Sequence, residues 1–180
     1  MEKILIIGGN SAGLTAASRA KRVDPRLNVT VVEAGPAISY STCGIPYFLA
    51  KVVPADDLIS YTPESFENER AIHVHTNTRI DEIVPSRKRA LGTRSDTGES
   101  VEFSYDRMLI ATGVRADLPE IPGTSLKNVF TVLNLEDAKR INDVLGGVQN
   151  VAVIEAVQLV VPVGAGARSI TADGAVLNCT

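Results

Sequence analysis

The chain has 180 residues, a hydrophobic fraction of 44% and a formal net charge of −3 at pH 7. This length fits one ordinary domain with an appendage. The charge balance excludes proteins that bind nucleic acid through a basic face, and no apolar run reaches the roughly 20 residues of a membrane helix. We therefore expect neither nucleic acid nor a membrane as a partner.

The cysteine content bears on the cellular compartment. The chain contains two cysteines, Cys43 and Cys179, which lie far apart and do not form a disulfide framework. We expect no signal peptide at the N-terminus, because KILIIGG leads into a glycine turn without a small-residue cleavage site. We predict a reducing, cytoplasmic location, where a lone cysteine is either inert packing or a reagent.

A strand, a helix and a second strand are predicted at the N-terminus. KILIIGG is a short apolar run that ends in glycines, which is typical of a buried parallel strand. Alanine and leucine then recur at helical spacing over residues 12–23, and NVTVVEA is another buried strand. This βαβ order favours an α/β fold with a parallel sheet.

The middle of the chain predicts two helices followed by short strands. IPYFLAKVV has proline in its first turn, and a second helix covers residues 63–70. IHVHT is followed by TRIDEIVPS, RALGTRSDTG and SVEFSY, which predict an antiparallel β-meander, and by the apolar strand RMLIATG. His73 and His75 alternate on IHVHT without further ligands nearby, so we interpret them as surface or packing residues and expect no metal site.

The last part of the chain combines a capped helix with an unusual tail. NLEDAKRINDVLGG begins with Asn134 ahead of acidic residues and ends at Gly146. NVAVI then opens like a second nucleotide-binding strand, but Glu155 stands where a glycine turn is needed. VQLVVPVGAGARS follows as another strand with no helix between, so the tail predicts an incomplete second nucleotide-binding domain.

The segment GGNSAG predicts a dinucleotide-binding turn between the first strand and the first helix. Gly8 permits the tight turn and Gly13 lets helix and strand pack closely, while N–H groups at the helix N-terminus face a pyrophosphate. Asn10 replaces the usual middle glycine. Glu33 ends the second strand, where an acid accepts hydrogen bonds from ribose hydroxyls and repels a 2′-phosphate, so FAD or NAD fits better than NADP. The alternative is a glycine turn that serves chain reversal alone.

Three stretches together resemble the pyridine nucleotide-disulfide oxidoreductases: IIGGNSAGLTAASRAKR, VVEAGPAISYSTCGIPYF and YDRMLIATGVRADLPEIPG. The similarity is closest to the single-cysteine branch, which comprises coenzyme A disulfide reductases, NADH oxidases and NADH peroxidases. Asn10 is consistent with this branch, although the peroxidases keep a histidine there. The resemblance implies a Rossmann-like FAD-binding domain whose cofactor contacts are Gly8, Gly9, Asn10, Ala12, Gly13, Glu33, Ile80, Ala111, Thr112 and Gly113.

The resemblance also implies that Cys43 is the redox cysteine beside the flavin. Phe48 stands where two-cysteine relatives carry their second cysteine, so no internal disulfide forms. We expect a helix to begin near residues 44–46, whose dipole favours the thiolate, and Gly44 to leave room for the flavin. Hydroxyls that can donate hydrogen bonds to the sulfur or to substrate are those of Ser39, Ser41 and Thr42.

Such a cysteine cycles between thiolate and an oxidised form, which is a mixed disulfide with coenzyme A or a sulfenic acid. The alternative is a small buried cysteine at a helix cap. In the resemblance, the residues that contact coenzyme A are Thr15, Arg19, Arg22, Ser39 and Thr42. Arg19 and Arg22 are equally well interpreted as the solvated face of the first helix. Two departures from the family pattern are Ala71 in place of a lysine and Thr42 in place of an asparagine.

Complete relatives continue through an NADH domain, the second half of the FAD domain and a dimerisation domain. The resemblance therefore implies a chain that is truncated and internally deleted. We predict an FAD-binding domain over residues 1–117, a connecting segment and helix over 118–147, and a remnant of the NADH domain with a tail over 148–180.

Two classes of function follow. The first is an FAD-dependent thiol/disulfide oxidoreductase, similar to coenzyme A disulfide reductase or NADH oxidase, that acts on coenzyme A disulfide or an oxygen species with NAD(P)H as reductant. The second is a non-catalytic flavin-binding module or degenerate paralogue without NADH turnover. A simple NAD-binding Rossmann protein is disfavoured by the meander and the ATG strand. The sequence leaves open whether the chain forms a homodimer.

Overall fold

The computed structural model describes residues 1–116, 118, 120–163 and 166–178, with side chains as far as residue 153. The chain divides into two units, Met1–Ile141 and Asn142–Thr180, which are treated separately below. Cys179 lies outside the described residues. Within the described ranges, no helix has both the length and the apolar character that a membrane crossing requires.

As far as residue 145, the helices and strands follow one another in the order that the sequence patterns predict. The strands are β1 (Lys3–Ile7), β2 (Asn28–Val32), β3 (His73–His75), β4 (Thr78–Val84), β5 (Arg89–Arg94), β6 (Ser100–Ser104), β7 (Arg107–Ile110), β8 (Ala152–Val163) and β9 (Gly166–Asn178). The helices are α1 (Ser11–Val23), α2 (Ile45–Leu49), α3 (Pro63–Arg70) and α4 (Leu135–Leu145).

A four-stranded parallel sheet with the order β3-β2-β1-β7 forms the centre of the first unit. Because side chains alternate along a strand, the sheet buries two different faces. On one face, α1 and α3 cover a cluster that includes Ile6, Val31 and Phe66. On the other face, Leu5 and Val32 pack against Ala90 of the meander and its neighbours. The predicted α/β class with a parallel sheet is confirmed.

Strands β4, β5 and β6 form the predicted antiparallel meander. The meander is joined to the parallel sheet by an edge-to-face contact between the rings of His75 and Phe103, whose centroids are 5.1 Å apart. Burial at this contact lowers the pKa of His75.

The other histidine of β3, His73, has a carboxylate beside it: its Nδ1 atom lies 2.6 Å from Oε1 of Glu67. The described residues contain no group of three potential metal ligands.

The helix predicted over IPYFLAKVV is shorter than expected. It ends at Leu49, and Lys51 has a left-handed φ of 58°. The N–H groups of Lys51 and Val52 donate to the carbonyls of Phe48 and Tyr47, which satisfies the last turn. The apolar periodicity continued past residue 49 because Val53 packs beside Leu58 in a loop rather than on a helix.

The second unit contains one antiparallel hairpin formed by β8 and β9. The two strands that we predicted within residues 150–163 are one strand, with a register irregularity between Glu155 and Val157. The physical reason is that no glycine or proline interrupts residues 151–161, and β-branched residues dominate that run. Gly164 lies outside the described residues.

We expect substitution of Gly8 to destabilise the fold more than substitution of Gly98. A Cβ atom at Gly8 would lie 2.2 Å from the Ala111 carbonyl oxygen, and φ is +113°. At Gly98 φ is +74°, but no described heavy atom lies within 4 Å of the added Cβ. Backbone strain alone costs about 1–2 kcal/mol, and overpacking adds about 1–3 kcal/mol.

Urea unfolding of Gly8→Ala and Gly98→Ala, followed by far-UV circular dichroism, measures this difference. The matched pair separates strain from collision, because both positions have positive φ and only Gly8 has a close neighbour. Equal losses for the two variants would show that the contact between Gly8 and Ala111 does not constrain the fold.

Candidate functional site

The glycine turn connects β1 to α1 at the carboxyl end of the parallel sheet. The N–H group of Gly8 donates to the Val32 carbonyl at 2.8 Å, which draws the turn over the end of β2. A Cβ atom at Gly13 would lie 1.9 Å from the Gly8 carbonyl oxygen, so α1 packs directly on the turn. Both glycines therefore serve the close packing that the sequence predicts for them.

The N-terminus of α1 is open to a ligand. Asn10 is the N-cap residue, but within the described residues its side chain makes no capping hydrogen bond. Ser11 and Ala12 are exposed. The first N–H groups of a helix need acceptors, and they favour anions because the helix dipole is positive at this end. This arrangement suits a pyrophosphate.

Glu33 holds the turn in place from the end of β2. Its carboxylate accepts hydrogen bonds from the N–H groups of Gly9 at 2.6 Å and Gly35 at 2.8 Å. A carboxylate has about four acceptor positions, so two remain for ligand hydroxyls. The Glu33 carbonyl also accepts from the N–H group of Thr78 at 2.9 Å, which places the start of β4 beside the turn. The sequence predicted the acid, but not its bonds to the turn.

Two further predicted cofactor segments lie near the glycine turn. The N–H group of Ala111 donates to the Ile7 carbonyl at 2.7 Å, so the Ala-Thr-Gly segment begins against β1. Thr112 and Gly113 are exposed beyond it, and Gly113 has a φ of +72°. The side chain of Ile80 packs on the core cluster of Leu5 and its neighbours, and the position adjoins the β-bulge of β4.

The thiol predicted to react lies on a loop that is bonded to the glycine turn. Cys43 is exposed. The N–H group of Ser39 donates to the Gly9 carbonyl at 3.1 Å, four residues before the thiol. Two backbone hydrogen bonds, Ser41 to Leu58 and Ser60 to Ser39, each 2.8 Å long, tie the same loop to the segment before α3. These hydrogen bonds therefore hold the backbone of the loop in place, although the Cys43 side chain is exposed to solvent.

The predicted helix start near residues 44–46 is confirmed, because α2 begins at Ile45. The thiol lies inside a single 3₁₀ turn, Thr42–Gly44, and the α-helix that follows has five residues. The Ser41 hydroxyl oxygen accepts from the Gly44 N–H group at 3.1 Å, so Ser41 caps the turn. A Cβ atom at Gly44 would lie 2.4 Å from Cδ2 of Leu58. A protein side chain therefore also lies close to Gly44, where we expected space for a flavin. The alternative of a buried cysteine at a helix cap is wrong, because Cys43 is exposed.

Three of the five predicted substrate residues line one groove. Thr15, Arg22 and Ser39 lie together there, whereas Arg19 and Thr42 are exposed elsewhere on their elements. Sequence reasoning missed the remaining polar members of the groove, Ser18, Tyr61 and Arg70. The spacing of Ser18 from Arg22 on a helix could have indicated a shared face. No sequence signal joins α3 to that face.

Tyr40 is another residue that the sequence did not single out. Burial, together with the nearby Glu33 carboxylate, raises the pKa of its hydroxyl. The Leu135 backbone and the Asn10 side chain act in the opposite direction. Tyr40 also packs against the apolar cluster that includes Leu135 at the start of α4, and both residues belong to the first unit.

Comparison with known proteins identifies the family of the chain. Residues 2–174 match the family described as pyridine nucleotide-disulphide oxidoreductase. A coenzyme A polysulfide/persulfide reductase from Pyrococcus horikoshii, which uses NAD(P)H, is 37% identical over 155 residues. That alignment covers 85% of this chain and 34% of the relative. An NADH oxidase from Methanocaldococcus jannaschii is 32% identical, over 86% of this chain and 35% of the relative.

Solved structures give the same relationship. The reduced CoADR-RHD protein from Bacillus anthracis superposes with a TM-score of 0.77 and 26% identity. The superposition covers 81% of this chain and 26% of that protein. The chain spans about a third of the length of the curated relatives it matches.

We expect Glu33→Gln to lower the stability of the chain without any cofactor present. The amide keeps one acceptor oxygen, while its NH₂ group faces an N–H donor of the turn. Loss of one hydrogen bond to a charged acceptor, with a buried donor left unpaired, costs about 1–3 kcal/mol. Thermal unfolding in the absence of FAD measures the change.

Glu82→Gln is the matched control, because it makes the same chemical change at an exposed position on β4. The control is expected to unfold with the wild-type midpoint. If Glu33→Gln also unfolded there, the two hydrogen bonds from Glu33 would contribute nothing to holding the turn.

Proposed function

The chain belongs to the pyridine nucleotide-disulphide oxidoreductase family, and we propose that it binds FAD at the glycine turn and uses Cys43 as a redox thiol toward coenzyme A-linked disulfides. Members of this family are FAD-dependent oxidoreductases. The observation that carries the proposal is the hydrogen bond from Ser39 to the Gly9 carbonyl. It joins the loop of the exposed thiol directly to the turn that suits a pyrophosphate.

The residues at the turn fit FAD. The open N-terminus of α1 suits the pyrophosphate, and the free acceptor positions of Glu33 suit ribose hydroxyls. The Ala111–Gly113 segment lies beside the turn, with Thr112 and Gly113 exposed and space around Gly113. When bound, FAD supplies the electron pair that returns an oxidised Cys43 to the thiolate, with NAD(P)H as the proposed reductant.

Cys43 provides the covalent chemistry. Its thiolate attacks one sulfur of a coenzyme A-linked disulfide, the S–S bond breaks, and a coenzyme A thiolate leaves. A mixed disulfide then remains on Cys43. Two electrons and a proton convert it to the Cys43 thiolate and a second coenzyme A thiol. The exposure of Cys43 provides the access that a disulfide sulfur needs, and Phe48 excludes an intramolecular disulfide at that position.

The relatives support this substrate class and leave oxygen as the other oxidant. The Pyrococcus relative is named for coenzyme A persulfide and polysulfide, and the Methanocaldococcus relative is named as an NADH oxidase. With oxygen species, Cys43 would carry a sulfenic acid in place of a mixed disulfide. The groove lined by Arg22 and Ser39 favours the coenzyme A-linked substrate, because oxygen needs no phosphate-binding side chains. Cytoplasmic location and a homodimer remain predictions.

A second candidate is a flavin-binding module without NADH turnover. It is favoured by the hairpin, because residues 152–163 and 166–178 are two paired strands. A nicotinamide dinucleotide is expected to bind where a strand leads through a glycine turn into a helix N-terminus. Within the described residues after 151, no helix is present to provide that terminus.

We expect Cys43 to form a coenzyme A adduct when the chain is incubated with oxidised coenzyme A. The attack needs only the thiol and the disulfide, so it is independent of FAD and NADH. Intact-mass spectrometry followed by peptide mapping identifies the modified cysteine. Cys43→Ser should lose the adduct and still quench FAD fluorescence on titration, whereas Cys179→Ser should retain both properties. An adduct confined to Cys179, or no FAD binding at high micromolar concentration, would contradict the proposal.

NADH separates the two candidates. Positioning of two reactants contributes roughly 7–11 kcal/mol to lowering a barrier in favourable cases, so its absence slows hydride transfer severely. We expect the FAD-loaded chain to be bleached by dithionite but only very slowly by NADH or NADPH in stopped-flow absorbance. Rapid, saturable bleaching by either nucleotide would overturn the module and support a complete enzyme.

A further inference from the structure

Thr78, the first residue of β4, is a buried polar residue that lies outside the thiol loop and the glycine turn. Among the described residues, the buried polar or charged side chains are those of Thr78 and Asp137, which are 2% and 8% exposed. The Asp137 carboxylate accepts hydrogen bonds from the N–H groups of the two residues before α4, so capping of that helix explains its burial. Thr78 begins a strand, and its burial needs a different explanation.

The Thr78 hydroxyl stabilises the sharp connection between β3 and β4. It donates a hydrogen bond to the Thr76 carbonyl at 2.9 Å, across Asn77. Asn77 has a left-handed φ of 49°, a conformation that persists in a residue with a side chain only where neighbouring contacts impose it. A threonine side chain that bonds to nearby backbone in this way favours a turn over a continued strand. The hydroxyl therefore helps to hold residues 75–78 in one conformation.

Three backbone hydrogen bonds fasten this connection to the segment that carries Glu33. The N–H group of Glu33 donates to the His75 carbonyl at 2.8 Å, and the N–H group of Thr78 donates to the Glu33 carbonyl at 2.9 Å. The N–H group of Asn77 donates to the Gly35 carbonyl at 2.9 Å. Both backbone polar groups of Glu33 are used in this way, so the backbone at Glu33 follows any movement of the connection.

The same connection bears on the direction of the Glu33 carboxylate. Gly35 is held on both sides, because its N–H group donates to Oε1 of Glu33 and its carbonyl accepts from Asn77. Oε2 of Glu33 accepts from the N–H group of Gly9 in the glycine turn. Groups that bind a ligand must be held within about 0.5 Å of the productive geometry, and a shift of residues 33–35 would move the carboxylate out of that range.

We propose that Thr78 is a positioning residue that, through the backbone of residues 75–78, orients the Glu33 carboxylate toward the ribose hydroxyls of the adenosine half of FAD. The inference rests on the proposed function, because that function supplies the ligand. Thr78 is buried, so it acts through Glu33 and not by contact with the cofactor. Its effect is therefore on the preference for ribose hydroxyls and not on the binding of the flavin or the pyrophosphate.

Fluorescence titration of the full chain with FAD and with two analogues, which lack the 2′- or the 3′-hydroxyl of the adenosine ribose, measures this preference. A hydrogen bond to a charged acceptor predicts that the wild type binds FAD about 10- to 100-fold more tightly than at least one analogue. Thr78→Val removes the hydroxyl and keeps the branched shape. In this variant the ratio should fall to about threefold or less, while the affinity for that analogue stays within about twofold of wild type.

Three further variants make the comparison specific. Thr93→Val makes the same chemical change on β5, where the hydroxyl donates to the Asp81 carboxylate at 2.9 Å, and should keep the wild-type ratio. Thr78→Ser restores a hydroxyl and should recover the preference. Thr78→Ala removes the hydroxyl in a smaller side chain and replaces Thr78→Val if that variant does not fold. An unchanged ratio in the folded hydroxyl-free variants, even with weaker binding overall, would overturn the inference. Equal binding of FAD and both analogues by the wild type would also overturn it.

Amide hydrogen exchange without FAD separates failure of this inference from failure of the proposed function. In Thr78→Val, the N–H groups of Gly9 and Gly35 should exchange about tenfold faster, because a displaced carboxylate no longer holds them. Thr93→Val should leave both rates unchanged. Faster exchange in Thr78→Val, together with no binding of FAD by the wild type, would retain Thr78 as the residue that positions Glu33 and reject the proposed function. Wild-type exchange rates in Thr78→Val, with FAD bound normally, would reject the role of Thr78 and leave the proposed function intact.

Discussion

The close approach of Gly8 to Ala111 is the constraint on which the site depends. The chain passes so closely there that a Cβ atom at residue 8 would lie 2.2 Å from the Ala111 carbonyl oxygen. The same turn is held by the carboxylate of Glu33 and supports the loop at Ser39. Three segments that are distant in sequence, those at Ala111, Glu33 and Ser39, therefore all contact this one turn. Such segments converge at the carboxyl edge of a parallel sheet.

In the thiol loop, an exposed side chain is positioned by buried residues of the same segment. Below Cys43, Ile45 and Leu58 form an apolar cluster with Leu135 and Ala138 of α4. Ser39 adopts a left-handed φ of 52°, which is uncommon for a residue with a side chain and persists only where neighbouring contacts impose it. Its two backbone hydrogen bonds, to Gly9 and from Ser60, are those contacts. The thiol is therefore presented by the loop rather than by a helix end.

Much of this arrangement could be predicted because it is local. Period-two and period-3.6 patterns are typical of β1, α1, β2 and the meander, and α3 has the predicted bounds of residues 63–70. The turn was predicted because glycine, helix and acid occur at fixed spacing. The site residues themselves remain predictions, although the structure brings most of them together.

The rest could not be predicted because it depends on contacts between distant segments. The end of α2 is set by packing around Leu58, which no local pattern encodes. The groove combines α1 with Arg70, about fifty residues later, and its aromatic support is visible only in three dimensions. The resemblance predicts two strands in the tail, whereas a run rich in β-branched residues and free of glycine and proline over residues 151–161 belongs to one strand of a hairpin.

The position of the groove has an evolutionary consequence. Arg70 lies at the C-terminus of α3 and contributes nothing to the glycine turn, whose residues are fixed by backbone collisions. Substitutions at the end of this helix therefore change the charge of the groove without placing a side chain against the glycine turn. Duplicated copies of such a chain could keep the turn and still come to differ in the charge of this groove through one or two codons in α3.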